Sequence, residues 1–125
     1  MYLIFDTETT GLPRNFNAPI TDLDNWPRVV QLAWQLHDEA GELISQQDFI
    51  IKPEGFNIPF ESERVHGIST ELAQAVGEGL SDVLALFNKD LARAKFMVGH
   101  NLRFDLNVMG AEYLRLGNEL SLIHI

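Results

Sequence analysis

The chain places its β-prone runs ahead of most of its helical segments, and this order constrains the fold more than any other feature. Residues 2 to 6 form a short apolar run that is interpreted as a buried strand, and a turn that ends at Pro13 follows it. Two longer β-prone runs follow, Val29 to His37 and Leu43 to Ile51, with a polar turn between them. This pattern is typical of an antiparallel hairpin.

The second half of the chain has helical spacing. A predicted helix follows Ser69 and extends to Val76, and another follows Ser81 and extends to about Ala94. Serine before an apolar-periodic segment is a common helix start, since its hydroxyl accepts a hydrogen bond from the first turn.

A last strand and helix complete the pattern. Phe96 to Val98 predicts a short buried strand, Asn101 is the predicted N-cap of the last helix, and Gly117 is predicted to end it. The apolar residues of this helix share one predicted face: Leu102, Leu106, Met109, Tyr113 and Leu116. We therefore expect an α/β fold, a mixed sheet with helices packed on it.

Length and composition restrict the class of protein. A chain of 125 residues that is 46% apolar and 22% charged fits one small domain. The net charge of −9 excludes capture of nucleic acid by a broad basic face, and the lack of cysteine excludes disulfides and Cys-type zinc sites. The apolar run at the N-terminus is too short for a signal peptide or a span, so no membrane partner and a cytoplasmic location are expected.

Residues 13 to 28 form a long segment rich in Pro, Asn and Asp that predicts no regular element. This loop either borders a site or contacts a partner, or its aromatic residues, Phe16 and Trp26, pack it against the domain. We favour packing for both aromatic residues.

Two carboxylates stand at the end of the first predicted strand, in the segment D-T-E-T-T-G-L at Asp6 to Leu12. Residues i and i+2 of a strand point to the same face, so Asp6 and Glu8 project together. Oxygen ligands of this kind suit Mg²⁺ or Mn²⁺. The alternative is a strand end with two solvated acids.

A third carboxylate follows the last predicted strand, in the segment G-H-N-L-R-F-D at Gly99 to Asp105. Asp105 lies about one turn into the predicted helix, where it can face the same cleft as Asp6 and Glu8. The alternative is that it only complements the helix dipole.

These two segments resemble the DEDD superfamily of 3′-to-5′ exonucleases, in its DEDDh branch, and within it the proofreading epsilon subunits of bacterial DNA polymerase III. A smaller match is V-H-G-I at Val65 to Ile68. The resemblance runs from Tyr2 to about Leu116 and implies a ribonuclease H-like fold. Such a fold has a mixed five-stranded sheet, three antiparallel strands first and parallel ones afterwards, with helices on its faces.

The resemblance also implies roles for individual residues. Asp6 would bridge two metal ions, Glu8 would hold the ion that carries the attacking water, and Asp105 would bind the second ion. The substrate-binding residues that it implies are Thr9, Gly11, Leu12, His66, Asn101 and Phe104. The last three have structural alternatives, namely a turn cap, a helix cap and a core residue.

Three functions stay open at this point. The resemblance favours metal-dependent hydrolysis at the 3′ end of single-stranded or frayed DNA, with release of nucleoside 5′-monophosphates and a DNA polymerase subunit as partner. The alternatives are an exoribonuclease of the same superfamily and a non-catalytic module that binds nucleic acid or protein.

The chain departs from the superfamily after Asp105. The third motif, H-x-x-x-x-D, supplies a general base and a fourth acid, and no such motif follows Asp105 in this sequence, where His124 is the only later histidine. Leu120 to Ile125 also match one reading frame of a common sequencing adapter. We expect residues 1–119 to be a partial exonuclease domain without its last strand and C-terminal helices, residues 120–125 to be a non-native tail, and this chain alone to have negligible exonuclease activity.

Overall fold

The computed structural model describes residues 1–117, which form a mixed four-stranded sheet and four helices. The strands are β1 (Tyr2–Thr9), β2 (Val29–His37), β3 (Leu43–Ile50) and β4 (Phe96–Val98). The helices are α1 (Phe60–His66), α2 (Thr70–Val76), α3 (Leu80–Leu91) and α4 (Leu102–Arg115). The predicted tail at 120–125 and His124 lie outside the described residues.

The sheet has the strand order β3-β2-β1-β4. The first three strands are antiparallel, and β4 pairs with β1 in parallel, with Tyr2 opposite Phe96 and Ile4 opposite Val98. The predicted hairpin and the predicted mixed sheet of the ribonuclease H-like fold are confirmed. Because β4 is parallel to β1, the helix that follows β4 begins at the end of the sheet where β1 carries its carboxylates.

The core lies on one face of the sheet, under α3 and α4. Phe5 of β1 and Trp34 of β2 both meet the ring of Phe87 edge-on, at centroid distances of 5.5 and 5.2 Å. The buried positions of β1 are every second residue, as the pleat requires: Leu3, Phe5 and Thr7.

The opposite face of the sheet corrects two predictions. Residues 2 to 6 and 96 to 98 were expected to form buried strands, but Tyr2 and Ile4 of β1 and Phe96 and Val98 of β4 are exposed. These four apolar side chains therefore remain in solvent on the β1–β4 part of this face. The rings of Tyr2 and Phe96 stack on each other there at 5.3 Å.

The helices differ from prediction mainly at their ends. The Ser69 hydroxyl caps α2 as expected and accepts a hydrogen bond from the Leu72 N–H at 3.0 Å. α3 begins at Leu80 after Gly79 rather than at Ser81, and it ends at Leu91, three residues early. Asn101 has the N-cap position of α4, but its side chain makes no capping bond.

The buried face of α4 is also rotated from the predicted one. Met109 and Tyr113 are buried as expected, whereas Leu116 is 41% exposed. Two carboxylates, Asp105 and Glu112, lie on the buried face.

The loop at residues 13 to 28 is irregular, as predicted, and fixed in place. The Asn15 N–H donates to Asn25 Oδ1, and Asn25 Nδ2 donates to the Asn15 carbonyl, both at 2.9 Å. Trp26 is buried and packs as expected, but Phe16 is 49% exposed, so the packing prediction is wrong for Phe16. Among residues 1–117, no helix is both long and apolar enough to span a membrane.

Candidate active site

Asp6 and Glu8 lie at the carboxyl end of β1, on the face of the sheet opposite the core. Asp6 is exposed and Glu8 is half-buried, whereas Thr7 between them points into the core and is 8% exposed. The alternation of a strand thus places the two acids on one face, as predicted from their spacing.

Asp105 approaches this strand end from the first turn of α4. It is 3% exposed, and its Oδ1 accepts a hydrogen bond from the Thr7 hydroxyl at 2.6 Å. Burial raises the pKa of Asp105, and the negative charges of Asp6 and Glu8 raise it further, while the bond from Thr7 partly offsets the rise. The three predicted carboxylates therefore lie within electrostatic reach of one another.

The donor chemistry of this group fits a hard divalent cation. Asp6, Glu8 and Asp105 offer only oxygen, and within residues 1–117 none of the three forms a salt bridge with Lys, Arg or His. Across the same residues, no group of three acidic or histidine side chains converges closely enough to hold an ion by itself. The structure thus brings the acids near one another without assembling a finished ligand cage.

A groove of about 640 Å³ begins at Glu8 and runs between the end of β1 and α1. Most of the substrate-binding residues predicted by resemblance line it: Thr9, Gly11, Leu12, His66 and Phe104. Asn101 is exposed and is not part of this lining. Asp6 instead borders a second groove, of about 710 Å³, over the open face of the sheet, together with His100. Because Asp6 and Glu8 are neighbours on one face of β1, the two grooves adjoin at the carboxylates.

Apolar side chains stand in solvent on both sides of the first groove. Leu12 is 75% exposed on the β1 side, and Val65 is 83% exposed on α1. The turn that carries Leu12 is held locally, because the Thr9 hydroxyl donates to the Gly11 carbonyl at 2.7 Å. Gly11 has a φ of +152°, a conformation that favours glycine.

His66 contributes a polar group to the same groove. Its Nδ1 accepts a hydrogen bond from the Ile68 N–H at 3.1 Å, so in the neutral ring Nε2 carries the proton. Nε2 is buried and has no hydrogen-bond partner in the described part of the chain. A buried donor without a partner costs about 1–3 kcal/mol, which an acceptor atom of a ligand would relieve.

Comparison with known protein families matches the chain, over residues 3–124, to the RNase T family, described as exonuclease. The chain belongs to the RNase T exonuclease family. This family assignment agrees with the superfamily that the motifs at Asp6 to Leu12 and at Gly99 to Asp105 resemble.

Relatives and solved structures agree with this family. The chain is 31% identical over 129 residues to a PolC-type DNA polymerase III of Latilactobacillus sakei, and 33% identical over 121 residues to a DNA polymerase III subunit epsilon-like protein of Rhodobacter capsulatus. These alignments cover 98% and 93% of this chain but only 7% and 15% of the relatives, so the chain spans a small part of their length. The fold is also similar to Escherichia coli exonuclease I in complex with a dT13 oligonucleotide, with a TM-score of 0.75, 24% identity, and coverage of 94% of this chain and 24% of that one.

Several residues around the three carboxylates and the groove were not predicted from the sequence. Thr7 holds Asp105, Ser62 donates to the Thr10 carbonyl at 2.6 Å, and Val65 stands at the rim of the groove. A signal for Thr7 was present, since strand alternation points it away from Asp6 and Glu8 toward the helix side. α1, which carries Ser62 and Val65, was not predicted, because its apolar residues Phe60 and Val65 are exposed and give no helical core pattern.

Proposed function

We propose that Asp6, Glu8 and Asp105 bind Mg²⁺ or Mn²⁺, two ions in the complete site, and that this site hydrolyses the last phosphodiester bond at the 3′ end of single-stranded DNA. The product would be a nucleoside 5′-monophosphate. The observation that carries this proposal is the buried carboxylate of Asp105, which has two further acids beside it and no cationic side chain paired with it among residues 1–117. Family membership gives the reaction class.

The role of the carboxylates follows from the charge of the reaction. Bound divalent ions stabilise the negative charge that develops on the attacking and leaving oxygens during in-line displacement at phosphorus. Asp6 and Glu8 supply exposed oxygens at the strand end, and Asp105 supplies an oxygen held by Thr7. Because Thr7 keeps the Asp105 carboxylate oriented, this side chain loses less conformational freedom when a ligand binds.

The groove beside Glu8 is the proposed place of the terminal nucleotide. Leu12 and Val65 would contact the base, because both present apolar surface on opposite sides of the groove. His66 Nε2–H would donate to an oxygen of the sugar or phosphate, which satisfies its buried donor. Thr9, Gly11 and Phe104 line the same space, whereas Asn101, at the start of α4, does not.

DNA is the proposed substrate on the strength of the relatives. Their names are those of DNA polymerase III proteins, and the exonuclease I structures were solved with dT13 and dA16 oligonucleotides. The net charge of −9 opposes strong independent binding of a polyanion. We therefore propose that a polymerase subunit presents the strand to this site.

The experiment is a binding measurement, because no H-x-x-x-x-D motif follows Asp105 in these 125 residues. Fluorescence anisotropy of a 5′-labelled dT8 with a free 3′-hydroxyl is recorded with Mn²⁺ and with EDTA, beside the same oligonucleotide carrying a 3′-phosphate. We expect Mn²⁺-dependent binding that prefers the free 3′ end and is lost in Asp6→Asn. The matched control Asp82→Asn, an exposed acid on α3, should bind like the unmodified chain.

Other results overturn the proposal. Equal binding in Mn²⁺ and EDTA, unchanged by Asp6→Asn, contradicts a metal site and favours a non-catalytic module. A labelled rU8 that binds at least tenfold more tightly than dT8 overturns the DNA assignment in favour of an exoribonuclease.

A further inference from the structure

The loop at residues 13 to 28 presents one aromatic ring to solvent next to the groove. Phe16 is 49% exposed, and its ring centroid lies 6.5 Å from that of Phe104, at an interplanar angle of 47°. Phe104 lines the groove that is the proposed place of the terminal nucleotide. The aromatic surface of the groove therefore continues outward onto the loop.

Phe16 is held in this position by a fixed backbone. The reciprocal bonds between Asn15 and Asn25 close the loop directly before Phe16, and the Asn17 N–H donates to Asn15 Oδ1 at 2.9 Å directly after it. The far side of the loop is tied to α4, where Arg115 Nη2 donates to the Leu23 and Trp26 carbonyls at 2.6 and 2.8 Å. Contiguous apolar surface, rather than one exposed residue, marks a binding surface, and Phe16 extends the surface of Phe104.

Positive charge lies beside this ring in an otherwise acidic protein. Arg103 Nη2 donates to Asn17 Oδ1 at 3.2 Å, which places its guanidinium next to the residue that follows Phe16. Arg14 is exposed two residues before Phe16. In the described part of the chain, neither arginine forms a salt bridge, so both charges are available to an anion.

We propose that Phe16, Arg14 and Arg103, here called the loop platform, bind the nucleotide that precedes the 3′-terminal one. The base of that nucleotide stacks on Phe16, and a backbone phosphate pairs with Arg103 or Arg14. Aromatic rings beside basic side chains are the usual means of binding single-stranded nucleic acid, because every base has a face that can stack. This inference rests on the proposed function, since it places the terminal nucleotide in the groove.

The platform has a consequence for substrate length. A mononucleotide fills the groove and leaves Phe16 uncovered, whereas a strand of two or more nucleotides also covers the platform. Affinity should therefore rise from thymidine 5′-monophosphate to dT2, which adds the base that stacks on Phe16, and rise again to dT4, which adds a phosphate on the 5′ side of that base.

The test is isothermal titration of thymidine 5′-monophosphate, dT2 and dT4 into the 125-residue chain with Mn²⁺. Phe16→Ala should weaken dT2 and dT4 binding about tenfold, a typical loss for a base–aromatic stack, and leave the mononucleotide within twofold. Phe16→Trp should restore the oligonucleotide affinity, which separates stacking from a structural defect. The matched control is Phe96→Ala, an exposed phenylalanine 56% accessible at the far end of β4, and it should change none of the three affinities.

A second readout tests the charges of the platform. Arg103→Gln should reduce the dependence of log Kd for dT4 on log salt by about 0.7, the value for one lost phosphate contact on a single strand. The mononucleotide should keep its salt dependence.

The outcomes separate this inference from the proposed function. If the mononucleotide binds with Mn²⁺ but Phe16→Ala leaves the dT2 and dT4 affinities unchanged, the platform is wrong and the groove assignment stands. If neither Leu12→Ala nor Asp6→Asn changes the affinity for the mononucleotide, the proposed function is wrong, and the platform is overturned with it.

Discussion

Two buried carboxylates on α4 have opposite surroundings. Asp105 and Glu112 are seven residues apart on the same helix, and they are 3% and 0% exposed. Both carboxylates are buried, and both lie on the same helix. What distinguishes them is the set of charged and polar groups around each one.

Glu112 is neutralised by the protein itself. Its Oε1 accepts from Arg28 Nε at 2.9 Å and from Arg115 Nη1 at 2.6 Å, and its Oε2 accepts from the Val29 N–H at 3.1 Å. These contacts join α4 to the start of β2 and to the loop that precedes it. Glu112 is therefore a structural carboxylate that is paired with two arginines.

Asp105 has the reverse environment. Its hydrogen-bond donor is the uncharged Thr7 hydroxyl, and the charges nearest to it, those of Asp6 and Glu8, are negative. A carboxylate that folding buries among other acids lowers stability, and such a group is a candidate for binding a ligand that compensates its charge. The comparison teaches that burial does not separate a structural acid from a binding one, whereas the sign of the surrounding charge does.

The largest expected effect is the loss of the Glu112 charge. Glu112→Gln leaves two arginines facing a neutral amide, and breaking a buried ion pair on one side costs about 3–5 kcal/mol in the free energy of unfolding. Urea unfolding followed by circular dichroism measures the change, with the exposed Glu71→Gln as the control. A loss below about 1 kcal/mol would mean that the arginines do not depend on Glu112, and the comparison would fail.

Asp105→Asn should raise the free energy of unfolding, whereas Glu112→Gln lowers it. Asparagine keeps an oxygen that accepts from Thr7 and removes the buried charge beside Asp6 and Glu8. We expect the free energy of unfolding at pH 7 in EDTA to rise by about 0.5–2 kcal/mol, the usual range for single stabilising substitutions. A destabilised Asp105→Asn would show that the ionised carboxylate contributes to the fold, as Glu112 does.

The difference in the free energy of unfolding between the unmodified chain and Asp105→Asn should depend on pH. The folded-state pKa of Asp105 is raised, so its stabilising contribution is complete below its ordinary value of 3.8 and is lost as the pH rises through the folded-state pKa. The stability advantage of Asp105→Asn should therefore be smallest near pH 3 and grow toward neutral pH. Urea unfolding of both proteins at several pH values tests this, and an advantage that does not vary with pH would contradict the raised pKa.

Thr7→Val gives the smallest expected effect. It removes the hydroxyl that Asp105 accepts from and keeps the shape of the side chain, so about 0.5–1.5 kcal/mol of stability should be lost, the net contribution of one hydrogen bond. Thr7→Ser keeps the hydroxyl and should retain the bond. Equal losses in the two variants would assign the effect to packing rather than to the hydrogen bond with Asp105.

For this protein, the sequence predicts the positions of secondary-structure elements better than their exposure or their long-range contacts. β2 was predicted from Val29 to His37, its observed bounds, because this run is apolar and β-prone. β4 was predicted at its observed position, but its exposure was not, since the covering of a sheet face depends on distant chain segments. Asp105 was identified from its motif, whereas the Glu112 cluster was missed because Arg28 lies 84 residues away in sequence.

The site residues also divide into those that could be predicted from spacing or motif and those that depend on tertiary contacts. Asp6 and Glu8 could be placed on one face from their spacing, and the resemblance identified His66 and Leu12 as residues of the groove. The position of Phe16 could not be predicted, because an aromatic residue in an irregular loop packs inward in most proteins. The hydrogen bonds of Asn15 and Asn25 with each other fix the backbone beside Phe16, and no sequence pattern reveals them.

The most direct test of the central claim is Mn²⁺ binding, measured by electron paramagnetic resonance, in the unmodified chain, Asp105→Asn and Glu112→Gln. The measurement is made at a temperature at which circular dichroism shows all three to be folded. We predict that Asp105→Asn weakens Mn²⁺ binding at least about tenfold, while Glu112→Gln binds like the unmodified chain. Equal Mn²⁺ affinity in the unmodified chain and Asp105→Asn would contradict the assignment of Asp105 to the metal site.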